Sequence, residues 1–325
     1  MIILNNNLRY CRRKERNDLL IHSSVLGFAI LFLIFAIYPL RPFIFAAIAF
    51  IIGKKNNEAI DLLRSSSVLM LGVNVFLTAI IFTFPFMLSA KLLKYNLSEL
   101  ISFKARKKTA LPYILIALGF FAAGNVVTYI TNIFFSMFGQ TPQAPDFGAP
   151  KSVMELGFFI LSGAIAPALF EEFAFRGIVL NALKKFGIWP AIIISSLLFA
   201  LMHRNFEQIP FAFCAGIGLG VCYIKTNSIW PGVIAHFINN AFGITISSLG
   251  LPLAVMGLLN ILFIVLMILA GVIGLSVYLV KHKTIFGFND VPSCFLPITR
   301  VALIAVSPLM LLAIVLFLRE AIGAL

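Results

Sequence analysis

Two adjacent glutamates and two histidines stand in this sequence where a lipid bilayer gives them little solvation. Glu171-Glu172-Phe-Ala-Phe-Arg176 is followed by Phe199-Ala-Leu-Met-His203 and then by His236-Phe-Ile-Asn-Asn240, each within a stretch apolar enough to cross a membrane. An acid at the centre of a membrane helix costs at least about 2.5–3.5 kcal/mol on insertion scales. Of the twelve acidic residues only Glu171 and Glu172 lie deep inside a span, and of the four histidines only His203 and His236 belong to one. Ionisable groups gathered in this way point to a site.

Spacing assigns roles within the set. Glu172 and Arg176 are four apart with the acid first, the better orientation for an ion pair along a helix. Arg176 needs a counter-charge, and Glu172 is the nearest. Glu171 points about 100° away and stays outside that pair, available as a general base. His236 with Asn240, and Phe199 with His203, share helix faces at the same spacing. Glu171 lies thirteen residues before Lys184 and His203 fifteen after Ile188, so both sit roughly 20 Å from one connecting turn. His236 and Asn240 re-enter from that side to roughly 12 and 18 Å, so the four residues can share one layer.

A free carboxylate with two imidazoles and an amide supports two chemistries. Glu171 can take a proton from a water held by His203 while His236 and Asn240 donate to the oxyanion of a tetrahedral intermediate. Alternatively Glu171, His203 and His236 can bind Zn²⁺ with a position open for water; the helical zinc signature HExxH is absent. No Ser or Cys in the set has a base beside it, which disfavours a covalent nucleophile. Each group also has a purely structural reading. A Glu–Arg pair can be a packing device, and a lone His or Asn can tie helices together. Taken jointly, Glu171, His203 and His236 favour the functional reading.

The elements that must position these residues are membrane helices. Of 325 residues 61% are hydrophobic and 11% charged, with mean hydropathy +1.04, the composition of an all-α, polytopic transmembrane bundle. The net charge of +13 is placed in loops flanking the spans, which fits retention of cations on the cytoplasmic side and gives no nucleic-acid stripe. Cys11, Cys214, Cys222 and Cys294 form neither a secreted disulfide framework nor a CxxC pair, and Cys214 and Cys222 read as packing residues of one helix. A polar leader without a small-x-small site after the first apolar run reads as a signal anchor.

Nine spans are expected, near 23–40, 68–90, 111–138, 153–185, 189–203, 209–224, 230–249, 253–280 and 296–318, with eight as the alternative. Pro39 and Pro42 should break the first, leaving 43–52 as a half-helix, and Arg300 should snorkel from the last. Sixteen Lys or Arg then fall on the cytoplasmic side against seven opposite, with Lys54-Lys55 the misfit; the amino terminus is cytoplasmic. Residues 1–150 are amino-terminal helices with a basic leader and loop, 151–250 a catalytic core, and 251–325 carboxy-terminal helices. No inverted repeat supports a transporter.

The order EExxxR, FxxxH, HxxxN on successive membrane helices resembles the CPBP family of intramembrane proteases, which includes the CAAX prenyl proteases and bacterial proteins linked to bacteriocin immunity. The likeness runs through Phe170–Leu183, Ser195–His203, Gly216-Ile-Gly-Leu-Gly220 and Thr226-Asn-Ser-Ile-Trp-Pro231 to Asn240. It implies that Glu171 and His203 activate water, that His236 and Asn240 form the oxyanion site, and that Glu172 and Arg176 support them beside Phe199. It implies an endopeptidase of a multi-pass, bacterial-type plasma membrane, acting on a membrane-associated protein or peptide, with Zn²⁺ the one cofactor in question. The CAAX branch removes carboxy-terminal tripeptides from prenylated proteins. A non-catalytic scaffold or immunity factor is the alternative.

Overall fold

Every backbone N–H and C=O in the hydrocarbon layer must find its partner within the protein, so apolar runs of this length fold as helices. A computed structural model describes residues 2–51, 67–97, 110–140, 142, 150–281, 287–288 and 291–323, and among them there is no strand. The helices are α1 (Ile2–Ile51), α2 (Ser67–Leu92), α3 (Ala110–Ser136), α4 (Val153–Phe186), α5 (Ile188–Leu201), α6 (Ile209–Thr226), α7 (Trp230–Ser248), α8 (Leu253–Lys281), α9 (Pro297–Ala305) and α10 (Pro308–Gly323). Lys54-Lys55, most of the basic loop after α2 and Pro145 of the loop before α4 lie outside the described residues.

Six of these helices are long and apolar enough to cross a membrane, or up to seven if α9 and α10, bent by 77°, form one broken span. The protein is thus a multi-pass helical membrane bundle, and the nine expected spans fall on helices, the last of them on the bent pair α9 and α10. α5, at 14 residues, extends only about 21 Å. α7 is long enough but carries His236, Asn239, Asn240, Thr245, Ser247 and Ser248, which lower its hydropathy because one face is turned to a polar cavity.

Three expectations are corrected. α1 continues through Pro39 and Pro42 to Ile51, so 43–51 is no separate half-helix; where water cannot solvate freed carbonyls, keeping the helix is the lower-energy course. Arg300 does not snorkel. It is 1% exposed and donates from Nη1 to Phe186 O over 2.8 Å, satisfying a carbonyl left over at the end of α4. Finally, a disulfide joins Cys11 of α1 to Cys294 just before α9. Glu15, one turn along, accepts from the Cys294 N–H at 2.7 Å and from the Ser293 hydroxyl. The 283-residue separation is why no local spacing announced this bond.

The main core forms where α4 and α5 meet, with Phe175, Ile178, Leu180, Ile192, Ile194 and Leu198 fully buried and α1, α2 and α10 packed around them. A second core joins α3, α6 and α8 through Tyr113, Phe121, Leu219, Cys222 and Met267; Cys222 is a packing residue there, as expected. Leu253, Leu258, Ile261 and Val272 of α8 point outward, which suits lipid. α3 and α8 touch at Gly119 and Gly271, where a Cβ on Gly119 would lie 2.8 Å from the Gly271 Cα. Close backbone approach through small residues is how helices associate when no water drives them together. Gly119→Ala and Gly271→Ala should each lose about 1–3 kcal/mol through overpacking. Thermal unfolding in detergent measures this, with Gly257→Ala as the control, since a Cβ there meets nothing within 4 Å.

Candidate active site

The carboxylates are placed by an unusual helix. α4 opens as α-helix, widens into a π turn at Leu161–Ile165, returns to α over Ala166–Glu172 and widens again over Phe173–Leu180. Widened turns of this kind are frequent at functional sites, and here one lies on each side of the segment ending in Glu171 and Glu172. Ser152 starts the helix by accepting from the Glu155 N–H at 3.1 Å, a standard amino-terminal cap.

Glu172 and Arg176 form the buried ion pair that the spacing calls for. Arg176 Nη1 donates to Glu172 Oε1 at 2.7 Å, and both residues are fully buried. The guanidinium also donates from Nη2 to Gly216 O of α6 at 3.2 Å and lies over the Phe199 ring, 4.4 Å from its centroid. α7 supplies the fourth contact, with His236 Nδ1 at 3.3 Å from Glu172 Oε1. Gly232, one turn earlier on α7, permits that approach, because a Cβ there would sit 3.0 Å from Glu172 Oε2.

Glu171 faces away from this pair, as the helical angle requires. Its Oε2 lies 3.9 Å from His236 Nε2, beyond direct hydrogen-bond range. Glu171, Phe199, His203, His236 and Asn240 all line one cavity of about 600 Å³. Glu172 and Arg176 are absent from its wall and lie behind it, fully buried. The expected residues therefore divide into a set that meets the cavity and a pair that supports it.

Each cavity side chain is held. His203 lies two residues past the end of α5, and its Nδ1 lies 2.9 Å from Phe199 O. A carbonyl only accepts, so Nδ1 carries the proton and Nε2 is left as an acceptor. The turn after His203 is fixed by Asn205, which donates to His203 O at 2.9 Å and accepts from the Gln208 N–H at 2.9 Å. Arg204, in the left-handed region at φ 59°, reaches out to Glu320 Oε2 of α10 at 3.1 Å and Leu33 O of α1 at 3.1 Å. The Phe199 ring makes edge contacts with His203 and His236, at 5.3 and 5.8 Å between centroids. Asn240 donates to Gly163 O at 3.3 Å and accepts from Asn239 at 3.2 Å, which leaves one amide hydrogen unused. α7 is brought back into the bundle by Asn227, whose left-handed φ of 49° ends α6.

The zinc alternative can be tested on donor positions. Among the described residues, the three donor-type atoms that lie within 4.8 Å of one another belong to Cys11, Glu15 and Cys294, and both of those sulfurs are already spent in the disulfide. Glu171, His203 and His236 do not close on one point in this arrangement. The set does not fit a resident ion as arranged.

Sequence reasoning missed five polar residues on the cavity wall: Asn74 of α2, Ser162 of α4, Gln208 before α6, and Asn239 and Ser247 of α7. Asn74 had a readable signal, an amide inside an otherwise apolar run. The others sit near loops or among further polar residues, where nothing distinguishes them.

Comparison with known proteins bears on this same region. The sequence profile of the Rce1-like, type II CAAX prenyl endopeptidase family matches residues 154–242. The membrane-embedded CAAX protease MroQ of Staphylococcus aureus (strain USA300) is 29% identical over 149 residues, which are 43% of this chain and 59% of that protein. The protein named "Putative membrane peptidase YdiL" of Bacillus subtilis (strain 168) is 27% identical over 126 residues, 38% of this chain and 52% of that one. The chain thus spans little more than half the length of these relatives. No solved structure matches. The matched segment holds Glu171, Glu172, Arg176, His203, His236 and Asn240, and over that segment the chain is similar to the Rce1-like CAAX endopeptidases.

Proposed function

We propose that this protein hydrolyses a peptide bond of a membrane-associated protein or peptide with a water activated by Glu171. The observation that carries the reading is the shared cavity: a carboxylate, two imidazoles and an amide from α4, α5 and α7 open onto one space of about 600 Å³, enough to hold a short stretch of peptide. In this reading His203 Nε2 accepts a hydrogen bond from the water and orients it. Glu171 removes the other proton as the water oxygen attacks the carbonyl carbon. The carbonyl oxygen gains negative charge and is met by Asn240 Nδ2 and His236 Nε2. In the doubly protonated ring both nitrogens donate, Nδ1 to Glu172 and Nε2 into the cavity. The tetrahedral intermediate then breaks its C–N bond, and Glu171 returns its proton to the leaving amine, so that no atom is left over.

The supporting pair does different work. Replacing a buried ion pair by apolar residues is often neutral, whereas removing one partner strands the other charge. Glu172 and Arg176 thus orient α4, α5, α6 and α7 around the cavity, and Glu171 does the chemistry. A plasma membrane with the amino terminus in the cytosol is the setting that the charge distribution favours.

Three outcomes test this. Glu171→Ala and His203→Ala should each reduce kcat in proteoliposomes by about 10²–10⁴ with the unfolding temperature unchanged, and Asn240→Ala by about 10²–10³. Retained turnover in the purified Glu171 variant removes the assigned mechanism. A non-catalytic scaffold predicts instead that any phenotype follows the unfolding temperature. Glu172→Leu should destabilise by about 3–5 kcal/mol, while Glu172→Leu with Arg176→Leu recovers most of that loss in the same unfolding assay. Cleavage should also survive a strong chelator; loss of turnover that zinc restores would instead show Glu171, His203 and His236 rearranging to bind metal.

A further inference from the structure

A membrane-embedded protease faces a difficulty in its substrate's backbone. A peptide bond can be attacked only when the chain is locally unwound, and the N–H and C=O groups so released have no water to turn to in an apolar setting. The site must supply partners for the backbone as well as for the reacting carbonyl. Most polar side chains on the cavity wall are already engaged. Asn239 donates to Asn240, Ser162 to Phe159 O and Ser247 to Ile244 O, and Gln208 Oε1 accepts from Asn205.

Asn74 differs from these. It lies seven residues into α2, within a span of mean hydropathy 2.1, and makes no hydrogen bond to another described residue. It is half-buried and lines the cavity together with the apolar side chains Phe121, Phe159 and Leu219. An amide kept in such a run without a partner carries a desolvation penalty that a leucine would avoid. It also has the chemistry of a peptide bond, an N–H₂ that donates and a C=O that accepts, set to pair with both groups of an extended backbone.

From this geometry we infer that Asn74 is a substrate-binding residue that pairs with a peptide group flanking the scissile bond, so that the ligand of this wall is an extended peptide backbone. The inference rests on the proteolytic reading of the cavity and places part of the binding site on α2, outside residues 154–242. Side chains of the bound segment meet Phe121, Phe159 and Leu219, while its backbone is read by Asn74.

The experiment uses the full chain in nanodiscs and a fluorescent apolar peptide that it cleaves. Asn74→Leu should raise KM about tenfold, the effect of losing one hydrogen-bonded pairing, with kcat and the unfolding temperature nearly unchanged, and Asn74→Gln should restore part of the loss. The same peptide, N-methylated at one backbone position at a time, is then bound to Glu171→Gln protein with and without Asn74→Leu. One N-methyl position should weaken binding to the Asn74-containing protein and abolish the difference between the two. Equal affinity for both proteins, or an equal penalty at every N-methyl position, overturns the inference. Should the parent chain cleave no peptide while binding still depends on Asn74 at one position, the proteolytic reading falls and the backbone contact stands. Cleavage with KM indifferent to Asn74→Leu has the opposite meaning.

Discussion

Arg176 carries its charge into a place that no solvent reaches, and the surrounding elements are arranged around that fact. Glu172 answers the charge from the same helix, Gly216 O from α6, the face of Phe199 from α5, and His236 from α7 by way of Glu172. A buried pair of this kind adds little net stability over apolar residues of the same size. Its value lies in specification, since each neighbouring helix must present one particular group at one particular level or leave a charge or dipole unanswered. The register of α5, α6 and α7 against α4 follows from that demand, and Glu171, His203 and His236 arrive on one cavity as a consequence.

The solvent explains other features. In lipid the hydrophobic effect does not separate inside from outside, so close contact and polar pairing do. Gly119 against Gly271 is the first kind, with backbones touching. The Arg300 guanidinium on Phe186 O is the second, a cation drawn inward because a helix end must not be left with bare carbonyls. The same logic keeps α1 helical through two prolines.

The helices outside residues 154–242 also touch the candidate site. Arg204, next to His203, is tied to α10 through Glu320 and to α1 through Leu33 O. The Cys11–Cys294 bond and Glu15 attach α1 to the start of α9. α2 contributes Asn74 to the cavity wall. The frame that holds the turn carrying His203 is therefore drawn from both ends of the chain.

Several features were legible before any coordinates. Membrane helices follow from apolar runs, because an unsatisfied backbone in hydrocarbon admits almost no other solution. The Glu172–Arg176 pair and the separate heading of Glu171 follow from the 3.6-residue period, a purely local property. What depended on partners far along the chain was not legible. Arg300 and the Cys11–Cys294 bond are examples. Their counterparts lie tens to hundreds of residues away, and nothing in a local pattern encodes that distance. The sequence by itself singled out the candidate residues, since an ionisable group in an apolar run is conspicuous for its desolvation penalty alone. The tertiary structure decided which of them meet the cavity and which stand behind it, because that depends on how four helices rotate about one buried charge.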